Sequence, residues 1–314
     1  MSVASFSFQE LREARRVELA SPLFLTANDG VTLAYRRYSP HNPRAILLFY
    51  HGGGAHSGAG YQFLGHGLQA EYDIAVYMPD IRGHGASGGP RGDTPTSQQV
   101  WDDITAFIKP IRAEYPELPL FLGGHSSGAA LVLNYASQID REPVDGYVFL
   151  SPQLGSRAHI DRPALAAPFA TVDGSAFAAN AMSGGATHGH DYAVQFNYPP
   201  EALAADPGLV AAITVNVSNA LMPAAPDRQF ATLDRPFGLW IGAEDELFLP
   251  DKVLAFADLA TSVRAASEAR LIRGAKHLSI LVNAHETIGP WLIHLIAEAK
   301  TPKSKGRQNH GNSK

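Results

Sequence analysis

The sequence has 314 residues, of which 45% are hydrophobic and 18% are charged, and it carries a formal net charge of −5. This composition is typical of a soluble globular protein with enough apolar residues for a large core, and the negative charge gives no general attraction for nucleic acid. The absence of cysteine excludes disulfides, thiolate chemistry and cysteine-based zinc sites.

The first 20 residues predict neither a signal peptide nor a membrane anchor. Six of them are charged, and they contain no uninterrupted apolar stretch of the kind that a signal peptide requires. No window of the chain approaches 18 consecutive apolar residues, so we expect no membrane-spanning helix. These observations predict a cytoplasmic protein. Residues 301–314 are polar and basic, and the sequence predicts a disordered tail there.

Eight short apolar runs predict the strands of a sheet. Residues 23–29 and 31–38 alternate in polarity on either side of an Asp-Gly pair, which predicts a β-hairpin. The other six runs are almost continuously apolar, as expected of strands that are buried on both faces of a mostly parallel sheet. They are residues 45–51, 74–80, 118–124, 146–152, 237–243 and 269–275.

Helical patterns lie between these runs. From Thr96 to Glu117 the apolar residues recur with a period of 3.6, and Thr96 and Gln99 have the spacing of a capping box. Pro110 predicts a kink or an early end of this helix. A similar apolar stripe that begins at Trp291 predicts a helix near the C-terminus. The alternation of strands and helices predicts an α/β fold, with helices on both faces of a mostly parallel central sheet.

The interval 153–235 interrupts this alternation. Connections in α/β proteins usually take a few residues, and much longer ones are usually functional. We therefore expect residues 1–152 and 236–300 to form one core domain, and residues 153–235 to form a lid inserted over the carboxyl edge of the sheet. The alternative is an enlarged connection with no function of its own.

The pattern G-x-S-x-G occurs twice, at residues 124–128 and 85–89. Only the first lies between a predicted buried strand and a helix-forming run, since Pro90 follows the second. A sharp turn from strand to helix holds the central serine on a strained backbone with its hydroxyl exposed. We therefore predict that Ser126 is a nucleophile and that Ser127 contributes its backbone N–H. A Gly-Ser loop without a catalytic role is the alternative.

A serine nucleophile needs a histidine base, and the base needs a carboxylate that orients it. With this kind of turn the chain order is Ser, then Asp or Glu, then His. Asp245 follows the predicted strand 237–243, and His277 follows the predicted strand 269–275. Loops after parallel strands converge on one edge of a sheet, so both side chains can reach Ser126. We predict a Ser126-His277-Asp245 triad.

Neighbouring acidic residues and histidines are weaker candidates for these roles. Glu244 and Glu246 flank Asp245 on a short loop, so we expect their side chains to point elsewhere. His285 and His294 lie in the predicted C-terminal helix, where a surface or capping role is expected.

The motif His51-Gly52-Gly53-Gly54 places three glycines after the predicted strand 45–51. Glycines at a strand end allow backbone N–H groups to face an oxyanion without obstruction, although a plain tight turn has the same appearance. We predict that the amides of Gly53 and Ser127 together form an oxyanion hole.

At this point the chain resembles the α/β-hydrolases, and more narrowly the serine hydrolases similar to monoacylglycerol lipases and lysophospholipases. The resemblance covers residues from about 22 to 299, except the insertion 153–235. It is carried, in chain order, by HGGGAHSGAGYQFLGHGL, MPDIRGHGASGGPRGD, GGHSSGAALVL, GYVFLSP, GAEDELFLP and GAKHLSIL.

The resemblance implies the α/β-hydrolase fold with a lid at the insertion. It also implies the same site residues, which are Ser126, Asp245 and His277 for the triad and the amides of Gly53 and Ser127 for the oxyanion hole. The implied activity is hydrolysis of carboxylic esters through an acyl-enzyme intermediate, with no metal and no cofactor. The implied substrates are small acyl esters or lipids similar to monoacylglycerols or lysophospholipids.

Other functions remain open on the same residues. A thioesterase, a lactonase or an acyltransferase would use every residue named above, and a catalytically silent, ligand-binding α/β-hydrolase is the rival from another class. We expect no nucleic-acid partner and at most peripheral contact with a membrane. His188, His190 and Asp191 are spaced like metal ligands, but in a glycine-rich loop we expect a solvated cluster.

Overall fold

A computed structural model of the chain describes residues 8–163 and 168–300, without the side chains of the last two residues. Within these ranges the chain forms eleven strands and eleven α-helices. The strands are β1 (Leu23–Thr26), β2 (Thr32–Tyr38), β3 (Ala45–Tyr50), β4 (Ile74–Pro79), β5 (Leu120–His125), β6 (Gly146–Leu150), β7 (Ala170–Val172), β8 (Tyr192–Phe196), β9 (Ala212–Thr214), β10 (Phe237–Gly242) and β11 (Glu268–Ile272). The helices are α1 (Gln9–Glu13), α2 (Gln62–Tyr72), α3 (Ser97–Glu114), α4 (Ser127–Ala136), α5 (Gly174–Met182), α6 (Pro200–Ala205), α7 (Val215–Leu221), α8 (Pro226–Ala231), α9 (Pro250–Ala255), α10 (Ile280–Asn283) and α11 (His285–Lys300). The predicted tail, residues 301–314, lies outside the described residues.

Eight strands form the central sheet, in the order β1-β2-β4-β3-β5-β6-β10-β11. Each of the eight apolar runs of the sequence overlaps one of them. The hairpin of β1 and β2 is antiparallel, as is the pairing of β2 with β4, and the other pairings are parallel. The predicted mostly parallel sheet is therefore confirmed. The expectation of burial on both faces is wrong for β11, which is only partly buried because it lies at the edge of the sheet.

Helices cover both faces of this sheet, as predicted. Along β3, Leu47 and Phe49 pack in one apolar cluster with residues of α2, α10 and α11. The alternate residues Ile46 and Leu48 pack in a second cluster with residues of α3 and α4. Both sets are buried because neighbouring side chains of a strand point to opposite faces. Of the helices that the structure describes, none is both long and apolar enough to cross a membrane.

The helix α3 follows its sequence pattern with two differences. The hydroxyl of Thr96 accepts a hydrogen bond from the backbone N–H of Gln99 at 3.2 Å, as a helix cap should. The side chain of Gln99 does not return this contact, because it donates to Asn28 and Asp103 instead. Pro110 lies inside the helix, so the predicted early end is wrong. A proline removes one backbone donor, and the buried apolar residues of the flanking turns still hold this helix against the sheet.

The interval between β6 and β10 has its own secondary structure. It contains the antiparallel sheet β7-β8-β9 and the helices α5 to α8. Helix α7 packs on the core, since Trp101 of α3 and Asn134 of α4 both donate to the carbonyl of Ala220, at 3.2 and 2.8 Å. Its preceding strand β9 is bound to the loop after β4, where the N–H of Thr214 donates to the carbonyl of Gly92.

A buried ion-pair network holds the loop after β4 in place. The side chain of Arg82 is 1% exposed, and its guanidinium binds two carboxylates. One belongs to Asp29 in the β1–β2 turn, at 2.8 Å, and the other to Asp103 of α3, at 2.6 Å. Because Arg82 joins the hairpin to a helix on the face of the sheet, it fixes the position of the loop between them.

We expect Arg82→Met to lower the free energy of unfolding by about 3–5 kcal/mol, because the substitution leaves two acidic side chains without their cation. Urea unfolding at neutral pH measures the loss. Arg264→Met is the control, since Arg264 pairs with the exposed carboxylate of Asp258 and should lose less than about 1 kcal/mol. Equal losses in the two variants would contradict the role of the Arg82 network.

Candidate active site

The chain turns sharply from β5 into α4 at Ser126. This residue has φ 55° and ψ −122°, a backbone conformation that residues other than glycine rarely adopt. The strand ends at His125 and the helix begins at Ser127, so Ser126 stands alone at the apex. The predicted strand–serine–helix turn is therefore present at the first of the two sequence matches.

Two glycines make this turn possible. A Cβ on Gly124 would overlap the backbone of Gly128, and a Cβ on Gly128 would overlap the backbone carbonyls of Tyr50 and His51. No other residue fits at either position, because backbone atoms cannot move aside as the end of a side chain can. The second sequence match differs, since the buried hydroxyl of Ser87 donates to the carbonyl of Asp80.

A chain of hydrogen bonds joins the three predicted triad residues. Nε2 of His277 lies 3.0 Å from Oγ of Ser126, and Nδ1 of His277 lies 2.9 Å from Oδ2 of Asp245. Asp245 follows β10 and His277 follows β11, so the carboxyl ends of neighbouring strands supply both. The structure thus brings together the three side chains that the sequence predicts as the triad.

The environment of Asp245 keeps its carboxylate charged. The side chain is fully buried, and burial alone would raise its pKa. The electrostatic interaction and hydrogen bond with His277, with the N–H groups of Leu247 and Phe248 that donate to Oδ1, outweigh burial and hold the pKa of Asp245 below its usual value. An ionised carboxylate beside Nδ1 favours the imidazole tautomer that carries its proton on Nδ1, which is the tautomer that a histidine base requires.

Glu246 does not point away from the site, which corrects the expectation from the sequence. Its side chain is 2% exposed, and Oε2 accepts a hydrogen bond from the backbone N–H of His277 at 2.8 Å. Burial raises the pKa of this carboxyl. Glu244 is exposed, as expected. The sequence gives no signal that separates the two glutamates, because only the path of the loop decides which one turns inward.

A second series of hydrogen bonds runs from residues 51–54, which we call the glycine loop, to the backbone of His277. The N–H of Gly52 donates to the hydroxyl of Tyr61 at 2.6 Å, and this hydroxyl lies 3.0 Å from Nδ1 of His125. Since an N–H can only donate, the tyrosine proton points to His125, whose Nε2–H then donates to the carbonyl of His277 at 2.9 Å. Burial lowers the pKa of His125 to about 3, so its imidazole is neutral.

The predicted oxyanion donors are neighbours in space. A Cβ built on Gly53 would lie 3.1 Å from the hydroxyl oxygen of Ser127. Within the described ranges, neither the N–H of Gly53 nor that of Ser127 donates a hydrogen bond to another protein group. The oxyanion hole of Gly53 and Ser127 stays a prediction, and two amides without a protein acceptor beside Ser126 are compatible with it.

Buried histidines surround the glycine loop. Nε2 of His51 accepts from the N–H of Ile81 at 2.9 Å, so Nδ1 carries the proton and donates to the carbonyl of Gly52 at 2.8 Å. This carbonyl belongs to the same peptide as the N–H of Gly53, so His51 orients that donor. Burial lowers the pKa of His51 to about 4, and burial together with the nearby His51 lowers that of His84 to about 3.

Three aromatic rings of the insertion stand over the glycine loop. The ring centroids of Phe169, Phe196 and Tyr198 lie 5.5–5.9 Å apart from one another. The ring of Phe196 is the nearest side chain to Gly53 and Gly54, since a Cβ on either glycine would lie within 3 Å of it. The insertion therefore packs against the glycine loop beside the predicted oxyanion hole.

A cavity of about 530 Å³ lies elsewhere, between α1, α2 and α6 of the insertion. Its walls include Leu11, Phe63, Ala202 and Leu209, and none of the triad residues lines it.

The spaced histidines of the insertion have local acidic partners. His188 pairs with Asp191 at 2.7 Å, and His190 pairs with Asp93 at 2.8 Å.

Comparisons with known proteins agree with this architecture. The family model Hydrolase_4, described as serine aminopeptidase, S33, matches residues 41–281. Monoglyceride lipase from Mus musculus is 35% identical over 127 residues, which are 40% of this chain and 40% of that protein. The matched part of the chain thus spans about two fifths of the length of this curated relative.

Solved structures resemble the whole fold. A soluble variant of monoglyceride lipase from Saccharomyces cerevisiae, in complex with a substrate analog, superposes with a TM-score of 0.68 at 18% identity, over 90% of this chain and 98% of the other. A thermostable carboxyl esterase from Bacillus coagulans superposes with a TM-score of 0.66 at 18% identity, over 89% and 100%. The family match and these folds confirm the resemblance seen in the sequence: the chain belongs to the Hydrolase_4 family of serine aminopeptidase S33-type proteins and has the α/β-hydrolase fold.

Proposed function

We propose that the protein hydrolyses carboxylic esters through an acyl-enzyme intermediate, with Ser126 as nucleophile, His277 as general base and Asp245 as the carboxylate that orients the base. The observation that carries the proposal is the continuous hydrogen-bonded chain Ser126–His277–Asp245, with distances of 3.0 and 2.9 Å. This is the arrangement that activates a serine hydroxyl on unrelated folds.

The proposed reaction uses these groups in order. Oγ of Ser126 attacks the ester carbonyl while its proton passes to Nε2 of His277, and the oxyanion accepts hydrogen bonds from the amides of Gly53 and Ser127. Collapse of this intermediate breaks the bond to the alcohol, which leaves with the proton from Nε2. Water then attacks the acyl-serine with His277 again as base, and the carboxylic acid is released.

The proposed substrates are esters with a single acyl chain, similar to monoacylglycerols or lysophospholipids. Two observations support this class: the curated relative is named a monoglyceride lipase, and apolar rings stand beside the predicted oxyanion hole. We further propose that the protein is cytoplasmic, takes a small-molecule substrate and makes at most peripheral contact with membranes.

We also propose that residues 153–235 act as a lid whose aromatic cluster contacts the acyl chain. The carbonyl oxygen of a substrate in the oxyanion hole would lie beside Gly53, and Phe196 packs on that glycine. The first carbons of the acyl chain would therefore pass the cluster of Phe169, Phe196 and Tyr198.

A fluorophosphonate probe and an ester panel test the proposed function. We expect the probe to label Ser126 and the protein to hydrolyse p-nitrophenyl acyl esters and monoacylglycerols of graded length. Faster turnover of matched thioesters or lactones, or acyl transfer to an added alcohol, would assign the same triad to those reactions. Absence of both labelling and hydrolysis would instead support a silent ligand-binding protein.

Phe169→Ala should reduce selectivity for long acyl chains. Each CH₂ group that loses its apolar contact costs about 0.8 kcal/mol, or about fourfold in kcat/KM, while an acetyl ester is too short to be affected. The measurement is kcat/KM for p-nitrophenyl esters from acetyl to dodecanoyl. Val172→Ala is the matched control, because Val172 lies in the same insertion and is 55% exposed. An unchanged chain-length profile in Phe169→Ala would argue against the acyl-contacting lid.

A further inference from the structure

The backbone of the glycine loop is held from two sides, and one side is the insertion. The carbonyl of Gly52 accepts from His51 of the core, at 2.8 Å. The carbonyl of Gly53 accepts from the hydroxyl of Tyr198, at 3.3 Å, and the carbonyl of Gly54 accepts from the N–H of Val210, at 2.8 Å. Two of these three successive carbonyls therefore depend on residues of the insertion.

We infer that Tyr198 is a positioning residue for the oxyanion hole, so that the insertion supports catalysis at the carbonyl as well as covering the acyl chain. This inference rests on the proposed function. Its physical basis is the conformational freedom of glycine, whose φ and ψ are little restricted because it has no side chain. To fix the N–H of Gly53, the peptide planes on both sides of its Cα must be held. His51 holds the plane before it, and Tyr198 holds the plane after it.

The surroundings of Tyr198 suit this role. The side chain is 7% exposed, and its ring packs against the rings of Phe8, Phe169 and Phe196. Burial raises the pKa of its hydroxyl far above the ordinary value, so the hydroxyl remains a donor at every working pH. A ring fixed by three aromatic neighbours can direct that donor at one carbonyl.

The experiment compares two tyrosines of the insertion that each bind one backbone carbonyl of the core. Tyr198→Phe removes the bond to Gly53, and Tyr192→Phe removes the bond from Tyr192 to the carbonyl of Arg91, at 2.8 Å and outside the site. For Tyr198→Phe we expect kcat to fall three- to tenfold by the same factor on acetyl and octanoyl esters, with KM unchanged. A loss of this size corresponds to one neutral hydrogen bond.

Inhibition by a trifluoromethyl ketone tests the oxyanion hole independently of turnover, because the adduct of this ketone with Ser126 carries an oxyanion. Its inhibition constant should rise by the factor by which kcat falls. Tyr192→Phe should match the wild type in both measurements. All rates are normalised to the fraction of Ser126 that a fluorophosphonate labels, so partial unfolding of a variant does not count as loss of catalysis.

Three results would overturn the inference. The first is a wild-type kcat in Tyr198→Phe, and the second is a loss confined to the octanoyl ester, which would make Tyr198 a wall of the acyl site. In both cases the proposed function stands, since the wild type still hydrolyses esters. The third is a wild-type protein that neither hydrolyses esters nor reacts at Ser126, which removes the proposed function and this inference together.

Discussion

Ser126→Ala should lower kcat for ester hydrolysis by a factor on the order of 10⁶ and abolish labelling by fluorophosphonates. The effect is this large because the substitution removes the atom that forms the acyl-enzyme bond, the Oγ that lies 3.0 Å from Nε2 of His277. The fold should be retained, since the side chain of Ser126 does not cap the helix that follows it. Active-site labelling and initial rates with p-nitrophenyl esters measure the change.

Ser87→Ala is the control, because Ser87 is the centre of the second G-x-S-x-G match. Its hydroxyl accepts from the N–H of Ala34 at 2.9 Å, in addition to its bond with the carbonyl of Asp80. We expect this variant to lose stability by about 1 kcal/mol while its labelling remains. Hydrolysis by Ser126→Ala at more than a few per cent of the wild-type rate would refute the proposed mechanism.

Asp245→Asn should lower kcat by about 10⁴-fold without unfolding the protein. The amide oxygen of the new side chain can still accept from the N–H groups of Leu247 and Phe248, so the loop should keep its path. The amide NH₂ then faces Nδ1 of His277, which must accept rather than donate. The proton moves to Nε2, and the imidazole can no longer take the proton of Ser126.

Steady-state kinetics with an acetyl ester, together with circular dichroism, tests this prediction. Glu244→Gln is the matched control, since Glu244 is the exposed neighbour of Asp245 and the substitution also exchanges a carboxylate for an amide. Its kcat should equal that of the wild type. If Asp245→Asn retained more than a tenth of the activity, Asp245 would not be the orienting carboxylate.

The inner parallel strands of the central sheet were predictable because they are almost uninterrupted apolar runs. A strand such as β3, which is buried on both faces, has to be apolar at every position, and this pattern has few alternatives. The edge position of β11 was not predicted, although Arg270 interrupts the apolar run beside Leu271, which is 40% exposed. The order of strands in the sheet depends on pairing between distant segments, so it cannot be predicted from a short stretch of sequence.

The candidate triad could be predicted for a related reason. Its residues follow the ends of parallel strands, and topology alone brings such positions together. The contacts of Glu246, Tyr61 and His125 could not be predicted, because they depend on how loops of a few residues fold back. His125 lies within the G-x-S-x-G match, yet the pattern does not specify what its imidazole contacts.

The insertion was the least predictable part. Its sequence is rich in alanine and glycine, so neither the period of a helix nor the alternation of a strand stands out. The aromatic residues that contact the glycine loop, Phe169, Phe196 and Tyr198, are separated along the chain and become one cluster only when β8 is paired with β7.

The three neutral imidazoles around the site make the free energy of unfolding depend on pH, because the folded and unfolded chains bind protons differently. His51, His84 and His125 have pKa values of about 4, 3 and 3 in the folded protein, against 6.5 for a histidine in an unfolded chain. Below pH 6.5 the unfolded chain therefore binds more protons than the native one, and the free energy of unfolding falls as the pH falls. Each pH unit between about 6.5 and 4 costs about 1.4 kcal/mol for each histidine. Through these histidines, the buried packing that orients the glycine loop thus favours the native state less in acid than at neutral pH.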